Sequence, residues 1–229
     1  MIVIPKILTI TCSVLLGGAQ AFDANRLSFQ LAFSNVASRI RFRQWTPLLM
    51  ASYSASIMTP PTGICHNFGP VSPRDHTLYT AERPGNSYGK ESPVPSTMVN
   101  EWIAFMKDRG IGHVIVLLDD NELGVYEDHG LLEIYKNSGF SYLQVPMSET
   151  GAYERITTYL QRVHEKGEKA VTHCTGGTGR AGRVAAAWLV HQYKLDVEEA
   201  TKETVDIAFE KGICRLGHAE KLAQWTGKY

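Results

Sequence analysis

The sequence predicts an α/β protein with a mostly parallel central sheet flanked by helices. Three observations lead there. Apolar runs of strand length alternate with amphipathic helical stretches from residue 96 onward, the pattern of a parallel sheet with crossover helices. One such run, Lys169–His173, feeds a glycine-rich loop that opens directly into a helix. The chain has 229 residues, enough for one medium domain and a leader.

The elements follow in order. A short strand is expected near Thr77–Thr80. Ser96 caps a helix with Val99, Trp102, Ile103 and Met106 on one face. Gly110 and Gly112 end it, and His113–Leu118 reads as a buried strand. A helix near 130–137 is stopped by Gly139, and Phe140–Val145 is the next strand. Ala152–Glu165 is a helix with Ile156, Leu160 and Val163 facing inward. After the strand at 169–173 and the loop, a helix spans 180–193 with Val184, Trp188, Val190 and Tyr193 among alanines. Asp196 with Glu199 starts a helix over 197–211, and a last helix covers about 217–226. In such sheets ligands bind beyond the carboxyl ends of the strands, where the glycine-rich loop lies.

That loop carries the chemistry. Residues 171–183 read Val-Thr-His-Cys-Thr-Gly-Gly-Thr-Gly-Arg-Ala-Gly-Arg. Cys174 ends the strand, and Gly176, Gly177 and Gly179 allow backbone N–H groups to point inward as an anion nest. The helix N-terminus adds positive partial charge. Arg180 supplies a planar fork suited to phosphate oxygens. A thiolate is favoured in such surroundings, so Cys174 is a candidate nucleophile, and an oxidation-sensitive one.

The stretch resembles the signature loop of cysteine-dependent tyrosine and dual-specificity protein phosphatases. "YTAERPG" (79–85), "GIGHVIVLLDDNEL" (110–123) and "LLEIYKNSGFSYLQVP" (131–146) precede it in the order seen in compact members. Its Gly-Gly pair is most similar to the kinase-associated phosphatase subgroup. The resemblance covers about residues 70–229 and implies the protein tyrosine phosphatase-like fold. It implies a phosphocysteine intermediate on Cys174, with Thr175, Gly176, Gly177, Thr178, Gly179 and Arg180 holding the phosphoryl group. It implies that His173 orders the loop. No metal or cofactor is implied.

The general acid of the resembled family is an Asp three residues after a proline that ends a strand. Here Glu149 follows Pro146 at that distance, while Asp119 and Asp120 end a neighbouring strand and are alternatives. Ala181 departs from the Ser or Thr usual after the arginine. Its missing hydroxyl implies slow release of the intermediate, and a Thr at 181 is expected to speed it. Arg83 and Arg183 are candidate contacts to the phosphorylated substrate. The absence of lysine from the loop favours phosphoprotein over inositol lipid. The expected activity is hydrolysis of phosphotyrosine, with phosphoserine or phosphothreonine if the pocket is shallow. A phosphate-binding pseudophosphatase and a phosphatase for a non-protein monoester are the alternatives.

Composition bounds the partners. Formal net charge is zero, which argues against a nucleic-acid binder. No apolar run of membrane-spanning length follows residue 25, so no stable membrane insertion of the mature chain is expected. The cysteines at 12, 65, 174 and 214 lack metal-site spacing. Cys65 and Cys214 are expected as plain buried thiols, with pairing to an oxidised Cys174 the alternative. Nothing in the pattern predicts the oligomeric state.

Residues 1–21 read as a secretory signal peptide: Lys6, an apolar stretch from Ile7 to Leu16, and Ala19-Gln20-Ala21. Residues 22–56 start with Phe22 and carry four arginines, six serines and one acidic residue, a transit-peptide composition. Together they resemble the two-part presequence of secondary plastids, with secretion or mitochondrial import as alternatives. A fluorescent fusion of residues 1–60 is expected to reach an organelle, and cytosolic fluorescence would refute this. Residues 57–75 read as linker and 76–229 as the catalytic domain.

Overall fold

A computed structural model describes residues 65–86, 93–127 and 130–227. The signal-peptide and transit-peptide readings of residues 1–56 lie outside the described residues.

Five strands form one sheet in the order β1-β2-β5-β3-β4. They are β1 (Gly69–Pro70), β2 (Leu78–Glu82), β3 (Ile111–Val116), β4 (Ser141–Gln144) and β5 (Lys169–Cys174). β2, β5, β3 and β4 run parallel, and only β1 pairs antiparallel, with β2. The mostly parallel sheet expected from the alternation is therefore present. β5 lies at its centre, and its burial is almost unbroken, as its continuous apolar run requires.

The helices are α1 (Ser96–Asp108), α2 (Asp120–Leu123), α3 (Gly130–Asn137), α4 (Ala152–Glu165), α5 (Gly179–Tyr193), α6 (Val197–Glu210) and α7 (Ala219–Thr226). They cover both faces. One core joins Leu78, Ile115, Leu117 and Ala170 to Ile156 and Leu160 of α4 and to Val184, Trp188 and Leu189 of α5. The other joins Ala81, Val114, Val116 and Val171 to Trp102, Ile103 and Met106 of α1 and to Leu131 and Tyr135 of α3. The alanines of α5 are fully or almost fully buried, which lets this helix lie close to the sheet.

Some expectations change. Pro95, not Ser96, stands at the N-cap of α1, and Ser96 is its first helical residue. β2 runs on to Glu82, because it follows β5 to its end and pairs Glu82 with Cys174. β3 is Ile111–Val116, and Leu117 N–H donates instead to His173 O at 3.0 Å, where the chain leaves the ladder. Residues 65–75 are part of the domain although their Pro and Ser content reads as linker. Val71 is fully buried, and Asp75 accepts from Thr77 N, Leu78 N, Trp188 Nε1 and Tyr193 Oη. Two partners of Asp75, Trp188 and Tyr193, lie 113 and 118 positions away, so local composition carried no sign of its burial.

Candidate active site

Cys174 is the last residue of β5, with 4 % of its surface exposed, level with Glu82 on the neighbouring strand. The loop Thr175–Thr178 then turns into α5, whose first helical residues are Gly179 and Arg180. Thr178, at the N-cap, makes no side-chain bond to the first helical turn, so α5 does not satisfy its leading N–H groups with its own cap.

The orientation of the loop peptides follows from what holds their carbonyls. Thr175 O accepts from Arg83 N at 3.0 Å, and Thr178 O accepts from Leu216 N at 3.3 Å and from Gly182 N at 3.1 Å. Gly176 O accepts from the side-chain amide of Asn67 at 3.0 Å. Arg83, Asn67 and Leu216 belong to chain surrounding the loop, and Gly182 to the first turn of α5. In a trans peptide the next N–H points opposite to the carbonyl. The N–H groups of Gly176, Gly177 and Gly179 are therefore turned away from that chain, toward the loop interior. Backbone donors arranged in this way can hold an anion. Gly177 has φ 70°, a conformation that glycine adopts without steric cost.

Arg180 lies beside this loop, and Glu122 of α2 grips it. Nη1 donates to Glu122 Oε2 and Nη2 to Glu122 Oε1, each at 2.5 Å, a fork-to-fork pair. Nη1 also donates to Leu117 O at 2.9 Å, and Nη2 to Thr175 Oγ1 at 2.8 Å. Thr175 Oγ1 in turn donates to Glu122 Oε1 at 2.8 Å. The four terminal N–H groups thus have partners, and Nε–H is the fifth donor of the guanidinium. The bonds from Arg180 hold the Glu122 carboxyl at a pKa of about 2, and the same pair raises that of Arg180.

Glu122 is absent from the sequence-based site. Its signal was readable, because Asp119-x-x-Glu122 is a capping box. Asp119 accepts from Glu122 N, and Glu122 Oε2 receives Asp119 N–H. Asp119 is thereby committed to the start of α2, and Asp120 accepts from Gln144 Nε2 at 3.2 Å. Glu149 lies in the turn after β4, half exposed and ion-paired with Arg155. Its strand ends level with β5, since Val116 of β3 pairs with both Gln144 and His173.

Arg83 keeps only 7 % of its surface exposed, with its guanidinium 5.6 Å from the centre of the Tyr126 ring. Its backbone N–H holds the loop through Thr175 O. Arg183 is half-buried on α5. Cys65 is exposed and Cys214 half-buried, which corrects the expectation of two buried thiols: Cys65 begins a short 3-10 helix with Asn67, and Cys214 lies in the chain before α7, bonded to Asn67, rather than in a core. Among the described residues, no cluster of His, Cys, Asp and Glu is arranged to hold a metal ion. No described helix is long and apolar enough to cross a membrane.

The catalytic-domain model of the dual specificity phosphatases matches residues 96–227. The chain belongs to that family. The match begins after β2 and the 65–70 segment, although both are built into the phosphatase sheet. Kinase associated phosphatase, solved with its catalytic-site cysteine replaced by serine, is 21 % identical with a TM-score of 0.52, covering 66 % of this chain and 86 % of that one. PTPMT1 in complex with PI(5)P is 14 % identical with a TM-score of 0.50, covering 70 % and 95 %. The human tyrosine phosphatase-like serine/threonine/tyrosine-interacting protein gives 14 %, 0.50, 70 % and 93 %. These likenesses concern the fold. No curated protein matches by sequence.

His173 sits behind the phosphatase loop, fully buried, with Nε2 3.1 Å from the Tyr135 hydroxyl. Burial pushes its pKa down to about 3 from 6.5, so the folded imidazole stays neutral. The unfolded chain takes up this proton below 6.5 and the folded chain does not. The contribution is therefore fully present above pH 6.5 and is lost as pH falls toward 3. Where only the unfolded state binds the proton, stability drops by about 1.4 kcal/mol per pH unit. Glu122, held at about 2 against 4.5, adds a loss with the same sign below pH 4.5. Urea unfolding from pH 8 to pH 4 is expected to show this decline, with a flatter profile between pH 6.5 and 4.5 for His173→Gln. Equal slopes in the two proteins would refute the assignment.

Proposed function

We propose that this domain is a cysteine-dependent phosphomonoesterase acting on phosphoproteins. Its substrate is phosphotyrosine, together with phosphoserine or phosphothreonine where the pocket admits them. The observation that carries the reading is the loop Thr175–Thr178 at the end of β5. It places a cysteine beneath inward-turned N–H groups and beside one arginine.

In this reading Cys174 Sγ attacks phosphorus as the thiolate, and the bond from phosphorus to the ester oxygen breaks. The loop N–H groups and Arg180 stabilise charge on the phosphoryl oxygens as it develops. Glu149 gives its proton to the departing oxygen, then takes one from the water that attacks the phosphocysteine. That second step releases phosphate and regenerates the thiolate. Glu149 is supported by its place after a strand that ends level with β5. Its pair with Arg155 is exposed, a kind worth only about 0–1 kcal/mol, so it is easily given up. The absence of lysine from the loop supports phosphoprotein over inositol lipid. The leader supports delivery of the enzyme to an organelle, most simply a plastid.

Ala181 is fully buried at the start of α5, so Ser fits there better than the bulkier Thr. The assay is hydrolysis of an aryl phosphate by the full chain, with reductant and chelator present. Cys174→Ser is expected to abolish it. Ala181→Ser is expected to raise release of the intermediate about tenfold to hundredfold, the effect of one hydrogen bond to a charged group. Phosphate binding without turnover in the wild type would instead support a pseudophosphatase, which Ala181 and the committed arginine fork also favour. Turnover of aryl phosphate but not phosphopeptides would point to a non-protein monoester.

A further inference from the structure

The carbonyls of Thr175 and Thr178 are held by backbone N–H groups. That of Gly176 is held by a side chain 109 positions earlier in the sequence. Asn67 donates from Nδ2 to Gly176 O at 3.0 Å and to Cys214 O at 2.9 Å, and its Oδ1 accepts from Cys214 N at 2.8 Å. Both amide hydrogens and the amide oxygen are in use, in a residue only 2 % exposed. The amide joins two separate segments, the phosphatase loop and the chain before α7.

The turn that carries Asn67 is built for this. His66 has φ 62° and Asn67 φ 47°, two consecutive left-handed residues without a glycine. Such a conformation costs free energy and persists where surrounding contacts determine it. Here they do. The Phe68 ring stacks on Tyr79 of β2 with centroids 5.2 Å apart, and Phe68 packs edge-on against Phe105 of α1. Asparagine tolerates the left-handed region better than other residues with side chains.

We propose that Asn67 is a positioning residue for phosphoryl recognition. By holding Gly176 O outward it keeps the Gly176–Gly177 peptide from turning over, so the Gly177 N–H stays directed at the phosphoryl oxygens. Without it, a peptide flanked by glycines has little resistance to rotation about its neighbouring dihedrals. Asn67 acts through that peptide and does not itself touch substrate. The proposal rests on the phosphatase reading.

The test uses the full chain with Asn67→Gly and Asn67→Asp. Glycine keeps the left-handed backbone and removes only the side chain. Aspartate keeps the acceptor for Cys214 N–H but sets an oxygen against the carbonyls of Gly176 and Cys214. Thermal unfolding, aryl phosphate kinetics and inhibition by orthovanadate are measured on each. Loss of one oxyanion donor costs about 10²–10³ in kcat, so a misdirected one is expected to cost about tenfold to hundredfold. That loss is expected in kcat and in vanadate affinity, with Asp worse than Gly, while both variants still unfold cooperatively. Folded variants with wild-type kcat and vanadate inhibition would overturn the proposal. So would failure of both variants to fold, because Asn67 would then serve folding alone. A wild type that neither turns over aryl phosphate nor binds vanadate would instead remove the phosphatase premise.

Discussion

Gly177→Ala is expected to remove measurable turnover and to lower the melting temperature by roughly 5–20 °C. Two costs add. With φ 70°, an alanine at this position enters the left-handed region, at about 1–2 kcal/mol. The added methyl also meets backbone, not a side chain that can swing aside. It would lie 2.5 Å from Ala81 C, 2.6 Å from Ala81 O and 2.6 Å from Glu82 N. Those atoms belong to β2, which is fixed to β5 by the ladder from Leu78 to Glu82. Overpacking of this kind costs about 1–3 kcal/mol, and each kcal/mol moves the melting temperature of a domain this size by about 2–4 °C. The loop is the part that gives way, and with it the direction of the Gly177 N–H. Gly176→Ala is the control, since the nearest atom to its added methyl is the side-chain Thr178 Oγ1 at 3.8 Å. Calorimetry and aryl phosphate kinetics on both variants check this. A Gly177→Ala protein as stable and active as Gly176→Ala would refute it.

Glu122→Ala is expected to reduce kcat/KM about tenfold to hundredfold, with a smaller loss for Glu122→Gln. The carboxylate takes the edge of Arg180 between Nη1 and Nη2. Thr175 takes the remaining hydrogen of Nη2. A phosphoryl group bound through Nε and Nη2 would displace the threonine hydroxyl and leave Glu122 in place. In the proposed mechanism Glu122 steers the fork as substrate binds, and its removal is expected to let the guanidinium rotate. Charge-assisted hydrogen bonds contribute about 1.5–3 kcal/mol each, and about 1.4 kcal/mol is tenfold in rate. Gln keeps the shape and one acceptor but not the charge. A rise in kcat/KM for Glu122→Ala would mean that the carboxylate competes with phosphate for the arginine.

Much of this was legible in the residues. Cys174, the glycines and Arg180 are contiguous, so one loop carries them and local sequence specifies it. The apolar runs of β3 and β5 and the amphipathic faces of α1, α4 and α5 were likewise readable, because periodicity is set by which side of an element is buried. The place of residues 65–75 within the domain was not readable, nor was the capture of Arg180 by Glu122, 58 positions away. Asp119 shows the difference within one motif. Its pairing with Glu122 as a cap is a local event that sequence spacing announces. The second use of the same Glu122 carboxylate, on Arg180, needs α2 to sit beside the end of β5.

By itself the sequence determined a mostly parallel α/β domain, the family and the loop proposed to hold the phosphoryl group. The tertiary structure decided which groups aim that loop: Arg83 N–H, the Asn67 amide, Leu216 N–H and the Glu122 carboxylate. The physical reason is range. A strand, a helix or a glycine turn is favoured by residues a few positions apart, whereas a peptide's orientation depends on whatever donor the folded chain brings to its carbonyl. Asn67 reaches Gly176 from 109 positions away and Glu122 reaches Arg180 from 58, and nothing in their neighbouring residues records the meeting.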